Sequence, residues 1–387
     1  MSWSRIAERL SEVGYVGVEK ILEEHPYLRE AAERLREQKL KVIDNLEGYV
    51  QQTIKSVERI GGHAHLARNA EEARRIVGEI VDEDKLIVFS KTNAAYEVGL
   101  REHLQALGKE VWETDLGEFL VQVSGGWPAH IVAPAIDMTR ADAAQTLTKV
   151  VAGVDENSSV EQLVAAVRSF LMDKYLRAQV GITGANAVAA DTGSVVLVEN
   201  EGNIRVDTVL PPKHVVVVGV DKIVPTLRDA LDEAMIQAAY AGLYPPTYVN
   251  VTSGPSSTAD IEQTRITPAT GPREFHMVLL DNGRLDASRR KDIREALLCI
   301  RCGRCYFTCP VYRVLGKKWV SRRSPYNGPM GVMWCYITTG DPTPAAYCTH
   351  SGNCREVCPM KINIPEIIRQ IKHEATKQLN HNKPNKT

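Results

Sequence analysis

Cysteine is absent from residues 1–298 and then occurs eight times between Cys299 and Cys358. That absence excludes a disulfide framework for most of the chain and confines thiol chemistry to one C-terminal module. Aromatic residues are scarce, at 6% of the sequence, so the core has to be built from aliphatic side chains. No run of about 18 apolar residues occurs, which leaves no candidate for a transmembrane helix. No charged-then-apolar secretory segment is present, and reduced thiols then suit a cytoplasmic setting. The formal net charge is −1, too balanced for a nucleic-acid footprint. A 44% hydrophobic and 25% charged composition over 387 residues fits two or three globular domains, or one large α/β domain with a module attached.

What is present is concentrated in Cys299-Ile300-Arg301-Cys302-Gly303-Arg304-Cys305-Tyr306-Phe307-Thr308-Cys309-Pro310. This is C-x₂-C-x₂-C-x₃-C-P, the spacing of a bacterial-type ferredoxin, whose fourth cysteine ligates the other cluster of a pair. The spacing therefore demands a second motif. Cys348-Thr349-His350-Ser351-Gly352-Asn353-Cys354-Arg355-Glu356-Val357-Cys358-Pro359 supplies it, with Ser351 where a second cysteine would stand. Crossed ligation gives Cys299, Cys302, Cys305 and Cys358 to a first, 4Fe–4S cluster, and Cys309, Cys348 and Cys354 to a second. The fourth corner of the second cluster is open. With no replacement for Ser351 it is 3Fe–4S, a frame similar to that of succinate dehydrogenase iron–sulfur subunits; with Cys335 as a ligand it is 4Fe–4S, eight cysteines for eight corners. Structural zinc is the competing reading, but it takes C-x₂₋₄-C pairs and has no need of Cys-Pro ends. Twelve Arg and Lys residues between Arg284 and Arg323 suggest a basic rim that could steer an acidic partner.

Upstream, residues 1–60 read as two or three helices, and Gly61-Gly62 ends them. Residues 61–284 alternate short apolar strands with helices, the signature of an open, mostly parallel α/β sheet. Strands are expected at Leu86–Phe89, Val111–Glu113, His130–Ala133, Val180–Thr183, Ser194–Val198, His214–Val220, Tyr248–Val251 and Met277–Leu280. Helices are expected near 94–107, 139–153, 158–177 (capped by Ser158 or Ser159) and 226–240. Residues 285–370 form the iron–sulfur module, opening with a helix over 285–298, and 371–387 form a polar tail.

Strand ends in α/β sheets collect ligands. Lys91, Thr183, Asn186, Asp191, Thr192, Glu199 and Asn200 are therefore offered as a pocket, with Lys222 facing the same crevice and Asp260 and Glu262 as an acidic wall. Gly181-Ile182-Thr183-Gly184-Ala185-Asn186 serves equally as a tight strand connection, since it is neither a dinucleotide fingerprint nor a P-loop. Glu113, Asp115 and Glu118 are candidate acid–base groups, with a helix N-terminus as the alternative for the last two. His63 and His65 are candidate ligand contacts, with packing at the domain entry as their alternative.

Gly181–Asn186, Asp191-Thr192-Gly193, Glu199–Asn203, Glu113–Glu118, Pro128–Val132, Lys222–Pro225 and Gly254–Glu262 together resemble the LUD domain of lactate utilization proteins. Gly61–Ala67 resembles its entry segment, and Tyr326–Gly331 and Pro359–Pro365 its ferredoxin half. Residues 30 to 370 carry the resemblance, which points to the lactate utilization protein B family. It implies a NagB/RpiA/CoA-transferase-like fold and an iron–sulfur subunit of a cytoplasmic complex oxidising L-lactate to pyruvate. It implies as partners a Cys-rich-domain subunit, a second LUD-domain subunit and an electron acceptor, with any membrane contact peripheral and made through a partner. Two other readings stand beside it: an adaptor for another, heterodisulfide-reductase-like oxidoreductase, and a LUD domain that itself binds a hydroxy acid.

Overall fold

A computed structural model describes residues 17–90, 92–320 and 324–381. Ten strands are present in chain order: β1 (His63–Ala67), β2 (Leu86–Phe89), β3 (Glu110–Glu113), β4 (Val180–Thr183), β5 (Ala187–Ala189), β6 (Val195–Glu199), β7 (Lys213–Gly219), β8 (Ile223–Val224), β9 (Tyr248–Thr252) and β10 (Glu274–Leu280). Six of them form a parallel sheet in the order β1-β10-β7-β4-β2-β3. Its centre explains the valine run of β7. Val216 and Val218 face one core, shared with the N-terminal helices, and Val215 and Val217 face another, under helices Ala70–Val81 and Leu100–Ala106. A strand buried on both faces has no use for alternation.

The remaining four strands form a second sheet, β8-β5-β6-β9, in which β6 runs antiparallel to both neighbours. A single open sheet was the expectation. The difference arises at Asp191-Thr192-Gly193, which lies in a hairpin between β5 and β6, not a crossover, and so short a connection joins only antiparallel strands. Gly193 is required there. Its φ is +70°, and a Cβ would lie 2.6 Å from the Val57 backbone nitrogen.

His130–Ala133 is not a strand. Ala129, His130 and Ile131 are buried, but under the iron–sulfur module and outside either sheet. The His130 ring stacks on Phe307 and meets Tyr306 edge-on, and the Ala129 carbonyl accepts the Tyr312 hydroxyl at 2.6 Å. An apolar segment reads alike whichever surface covers it. Helix Val160–Arg177 begins at Ser159, whose side chain and Gln162 form a capping box. The helix expected over 285–298 divides into Arg284–Arg289 and a 3₁₀ turn, Arg294–Leu298, while the helix near 139–153 is confined to Arg140–Leu147. Helix Ile364–His381 runs through the first residues of the expected tail; 382–387 lie outside the described residues. No described helix is long and apolar enough to cross a membrane.

The N-terminal helices Gly17–Glu24, Tyr27–Asp44 and Leu46–Arg59, the second sheet and the module contribute to one continuous core. The module follows β10 directly and lies over the carboxyl ends of β7 and β10, where a Cβ on Gly219 would meet the Arg284 guanidinium at 2.6 Å.

Candidate functional site: two cysteine loops beside an interdomain cavity

The two cysteine frames fold as a local repeat. Each opens after a 3₁₀ turn, Arg294–Leu298 or Thr343–Tyr347, and each closes into a short helix, Arg304–Thr308 or Asn353–Glu356. Between these lie two left-handed residues flanking one position: Arg301 (φ +65°) and Gly303 (φ +75°) around Cys302, His350 (φ +56°) and Gly352 (φ +87°) around Ser351. Ser351 thus holds the backbone position of Cys302. The loops bring the thiols into two sets. Burial raises the Cys305 thiol well above its ordinary range, and Cys299, Cys302, Cys354 and Cys358 raise it further. Burial also raises Cys358, with Cys302 and Cys299 adding to it. Burial, then Cys309 and Cys348, push Cys354 up to about 12, so Cys354 lies between the two groups of thiols. Cys309, Cys348, Ser351 and Cys354 line one small recess with His350.

Cys335 is not among the residues lining that recess. It sits buried on helix Gly328–Thr339 with its sulfur 3.6 Å from the Thr339 hydroxyl. Among the described residues no three Cys, His, Asp or Glu groups converge to hold a single ion. Thiols spread in sets of four and three around two loops fit the corners of iron–sulfur clusters, which supply reversible one-electron storage when bound.

A cavity of about 320 Å³ opens at the carboxyl ends of β2, β4 and β7. Of the sequence-derived pocket, Asn186, Glu199 and Asn200 line it, and so does Lys222; Thr183, Asp191 and Thr192 do not. Lys91 lies outside the described residues, though its neighbours Thr92 and Asn93 line the cavity. Thr183 is turned into the sheet, its hydroxyl 2.9 Å from His214 Nε2. Asp191 uses its backbone carbonyl to hold Arg59 at 2.6 Å, and Thr192 accepts the Ser194 amide. Asn186 donates to Gln237 at 2.6 Å and accepts the Val198 amide, bracing β6. Glu199 is held by Arg205 and Asn250. Asp115 caps helix Leu116–Ser124 by accepting the Glu118 amide, and lines the cavity as well. Buried Glu113 is paired with Arg101 at 3.1 Å. Asp260 and Glu262 are exposed and do not reach the cavity. His63 and His65 sit on the outer strand β1, stacked against His276.

Sequence reasoning missed four residues of the cavity wall: Asp221, just after β7, and Arg284, Arg301 and Tyr326, which close it from the module side. Arg301 was counted only in the basic rim, yet its place between two cluster cysteines was the available signal. The rim itself is largely consumed. Arg284 forks onto Glu97 at 2.7 and 2.9 Å, Arg290 binds Asp292 and Glu374, and Lys317 binds Asp137. Arg289, Arg294 and Arg304 pair with Glu47, Asp44 and Glu19 of the N-terminal helices. Arg322 and Arg323 lie outside the described residues. Burial alone would raise the Asp221 carboxyl, but Arg301 and Arg284, then Lys222 and Lys39, hold it below the usual carboxylate range. Burial lowers the Lys222 ammonium, and Glu233 only partly offsets that.

Residues 50–280 match the LUD domain family and residues 295–362 the 4Fe-4S dicluster domain family. Lactate utilization protein B of Shouchella clausii is 37% identical over 353 residues, 89% of this chain and 70% of that one. The protein of the same name from Bacillus subtilis is 34% identical over 355 residues, covering 89% and 70%. The protein of Escherichia coli called uncharacterized electron transport protein YkgF is 33% identical over 356 residues, covering 90% and 72%. A crystal structure of a DUF162 family protein from Deinococcus radiodurans aligns with 61% of this chain and 98% of its own, at 13% identity and a TM-score of 0.35. The chain belongs to the lactate utilization protein B family, LUD-domain proteins joined to a 4Fe–4S dicluster domain.

Proposed function

We propose that this chain is the iron–sulfur electron-transfer subunit of a cytoplasmic complex that oxidises L-lactate to pyruvate. The observation that supports the reading is the repeated cysteine loop, with left-handed residues flanking Cys302 and Ser351 alike and with Cys309, Cys348 and Cys354 on one recess. Cys299, Cys302, Cys305 and Cys358 hold a 4Fe–4S cluster. Cys309, Cys348 and Cys354 hold the second, with Ser351 at its fourth corner. We take that second cluster as 3Fe–4S, because Ser351 occupies the place of Cys302 and Cys335 is absent from the recess. Lactate gives up two electrons and two protons on becoming pyruvate, so two one-electron centres match one turnover. The protons are left with the subunit that binds lactate, and the electrons pass to a further acceptor. The Cys-rich-domain subunit and the second LUD-domain subunit are the partners this division of labour requires.

The test is the iron and sulfide content of anaerobically purified protein, with its paramagnetic resonance before and after reduction. About seven irons and a signal in the oxidised state support this assignment. About eight irons and silence when oxidised replace the second cluster by a cubane. Absence of iron removes the electron-transfer reading.

A second reading rests on the cavity. Its position at strand ends, closed by a residue of the first cysteine loop, suits a LUD domain that itself binds a hydroxy acid. Reduction of a dye by lactate with the purified chain alone favours that reading; loaded clusters without activity favour the first.

A further inference from the structure

The joint between the LUD domain and the first cysteine loop is ionic and buried, on the wall of the cavity. Arg301, 4% exposed, lies between Cys299 and Cys302. Its guanidinium is 3.8 Å from the Trp334 ring centroid and reaches Asp221 at 2.9 Å. It also donates to the carbonyl of Cys299. Asp221 accepts in addition from Arg284, which forks onto Glu97. Lys222 donates to the Ile300 carbonyl at 3.2 Å and to Glu233 at the same distance, and Lys39 bridges Glu233 and the Asp221 carbonyl. Four cations, Lys39, Lys222, Arg284 and Arg301, face three carboxylates, Glu97, Asp221 and Glu233. One positive charge is left over, in a region shielded from water. Two of the cations, Arg301 and Lys222, end on carbonyls of the loop that carries the first thiols.

We propose that this buried network, acting through Arg301, sets the reduction potential of the first cluster by holding a net positive charge against its loop. The inference rests on the assignment of Cys299, Cys302, Cys305 and Cys358 to that cluster. Reduction adds an electron to a centre already made anionic by its thiolates. A nearby uncompensated cation stabilises the reduced form, and net charge and local hydrogen bonding are what tune such potentials. Low effective dielectric makes one charge count there as it would not at the surface. Arg301 is a positioning residue in this scheme, since it acts through the loop backbone, where it holds the Cys299 carbonyl. Arginine suits the role because it stays protonated whatever its burial. Asp221 fixes its guanidinium, so the charge cannot swing away.

The test is a redox titration of the intact protein followed by paramagnetic resonance, with iron content measured first. Arg301→Gln removes the surplus charge, and the first cluster becomes harder to reduce. The expected change is about tenfold in the ratio of reduced to oxidised form at a fixed poise, or about 59 mV for one electron. Asp221→Asn adds a positive charge to the same network, and the expected shift is in the opposite direction. Opposite shifts at full iron content support the proposal; a merely structural role moves both variants alike. Unchanged potentials, or shifts in the same direction, overturn it. If Arg301→Gln fails to load the cluster, Asp221→Asn decides alone: a raised potential supports the proposal, and an unchanged or lowered one overturns it. Wild-type protein without iron instead overturns the ligand assignment, a separate failure.

Discussion

Replacing Ser351 with cysteine tests the second cluster at its fourth corner. The two loops have the same alternation of left-handed residues, with φ of +65° and +75° around Cys302 and +56° and +87° around Ser351. A cysteine at 351 therefore projects its sulfur as Cys302 does, with no backbone adjustment. Serine oxygen is a harder donor than thiolate sulfur, which is the usual iron–sulfur ligand. The Ser351→Cys variant should gain one iron per chain, from about seven to about eight, as a 3Fe–4S centre becomes a cubane. The paramagnetic signal of the oxidised protein should disappear, and a reduced-state signal should take its place. The assay needs only anaerobic purification, an iron determination and spectra in two redox states. Unchanged iron content with an unchanged oxidised spectrum would refute the equivalence of the two loops. The companion variant Cys335→Ala should leave both readouts as in wild type, because that thiol faces Thr339 and not the recess. Loss of an iron from Cys335→Ala would restore Cys335 as a ligand and sink the assignment of Ser351.

Three further outcomes follow from packing and charge. Gly181→Ala should destabilise the LUD domain by at least ~1–3 kcal/mol in urea unfolding, because the added Cβ would stand 1.9 Å from the Asp207 carbonyl oxygen, a backbone atom with nowhere to go. Arg284→Met removes the cation that Glu97 and Asp221 share; a loss of about 3–5 kcal/mol is expected for breaking a buried pair, and wild-type stability in this variant would mean that the joint is not ionic in solution. His214 is fully buried, and burial depresses its pKa from 6.5 to about 3. The unfolded chain takes up a proton below pH 6.5 while the native imidazole does not, so stability falls as pH drops through that window, by about 1.4 kcal/mol per unit. The His214→Asn variant should show a correspondingly flatter stability profile between pH 6.5 and 4.5, and parallel profiles for the two proteins would refute a buried neutral histidine.

Local rules carried the reading wherever the determinant was local. The valine run of β7 and the Ser159 cap each declare themselves within a few residues, and each is where it was expected. The failures share a different cause. His130–Ala133 is apolar because the module covers it, so its pattern reports burial without saying by what. Thr183 and Asp191 were placed in a pocket because they sit near strand ends; whether a residue enters the crevice depends on register, and here the Thr183 hydroxyl meets His214 while the Asp191 backbone carbonyl is held by Ser56 and Arg59 of the Leu46–Arg59 helix. The basic stretch looked free because most of its acids, among them Glu19, Asp44, Glu47, Glu97 and Asp137, lie far off in sequence.

That last point bears on how the site works. Glu97 and Arg284 are 187 residues apart, and Asp221 and Arg284 63 apart, so no window of sequence contains the joint. Buried ion pairs contribute little net stability compared with well-packed apolar residues, because desolvation offsets their attraction. Stability alone therefore gives no reason for three acids and four bases to meet between two domains whose apolar cores are already continuous. Directionality does give one. Apolar side chains can slide past each other, whereas Arg301 held by Asp221 and by the Cys299 carbonyl fixes one register of the cysteine loop against β7 and the cavity. If that is its use, Asp221→Asn should broaden the spectrum of the first cluster as well as shift its potential, since the loop would sample more than one position. A shifted but equally narrow signal would assign the network to charge alone.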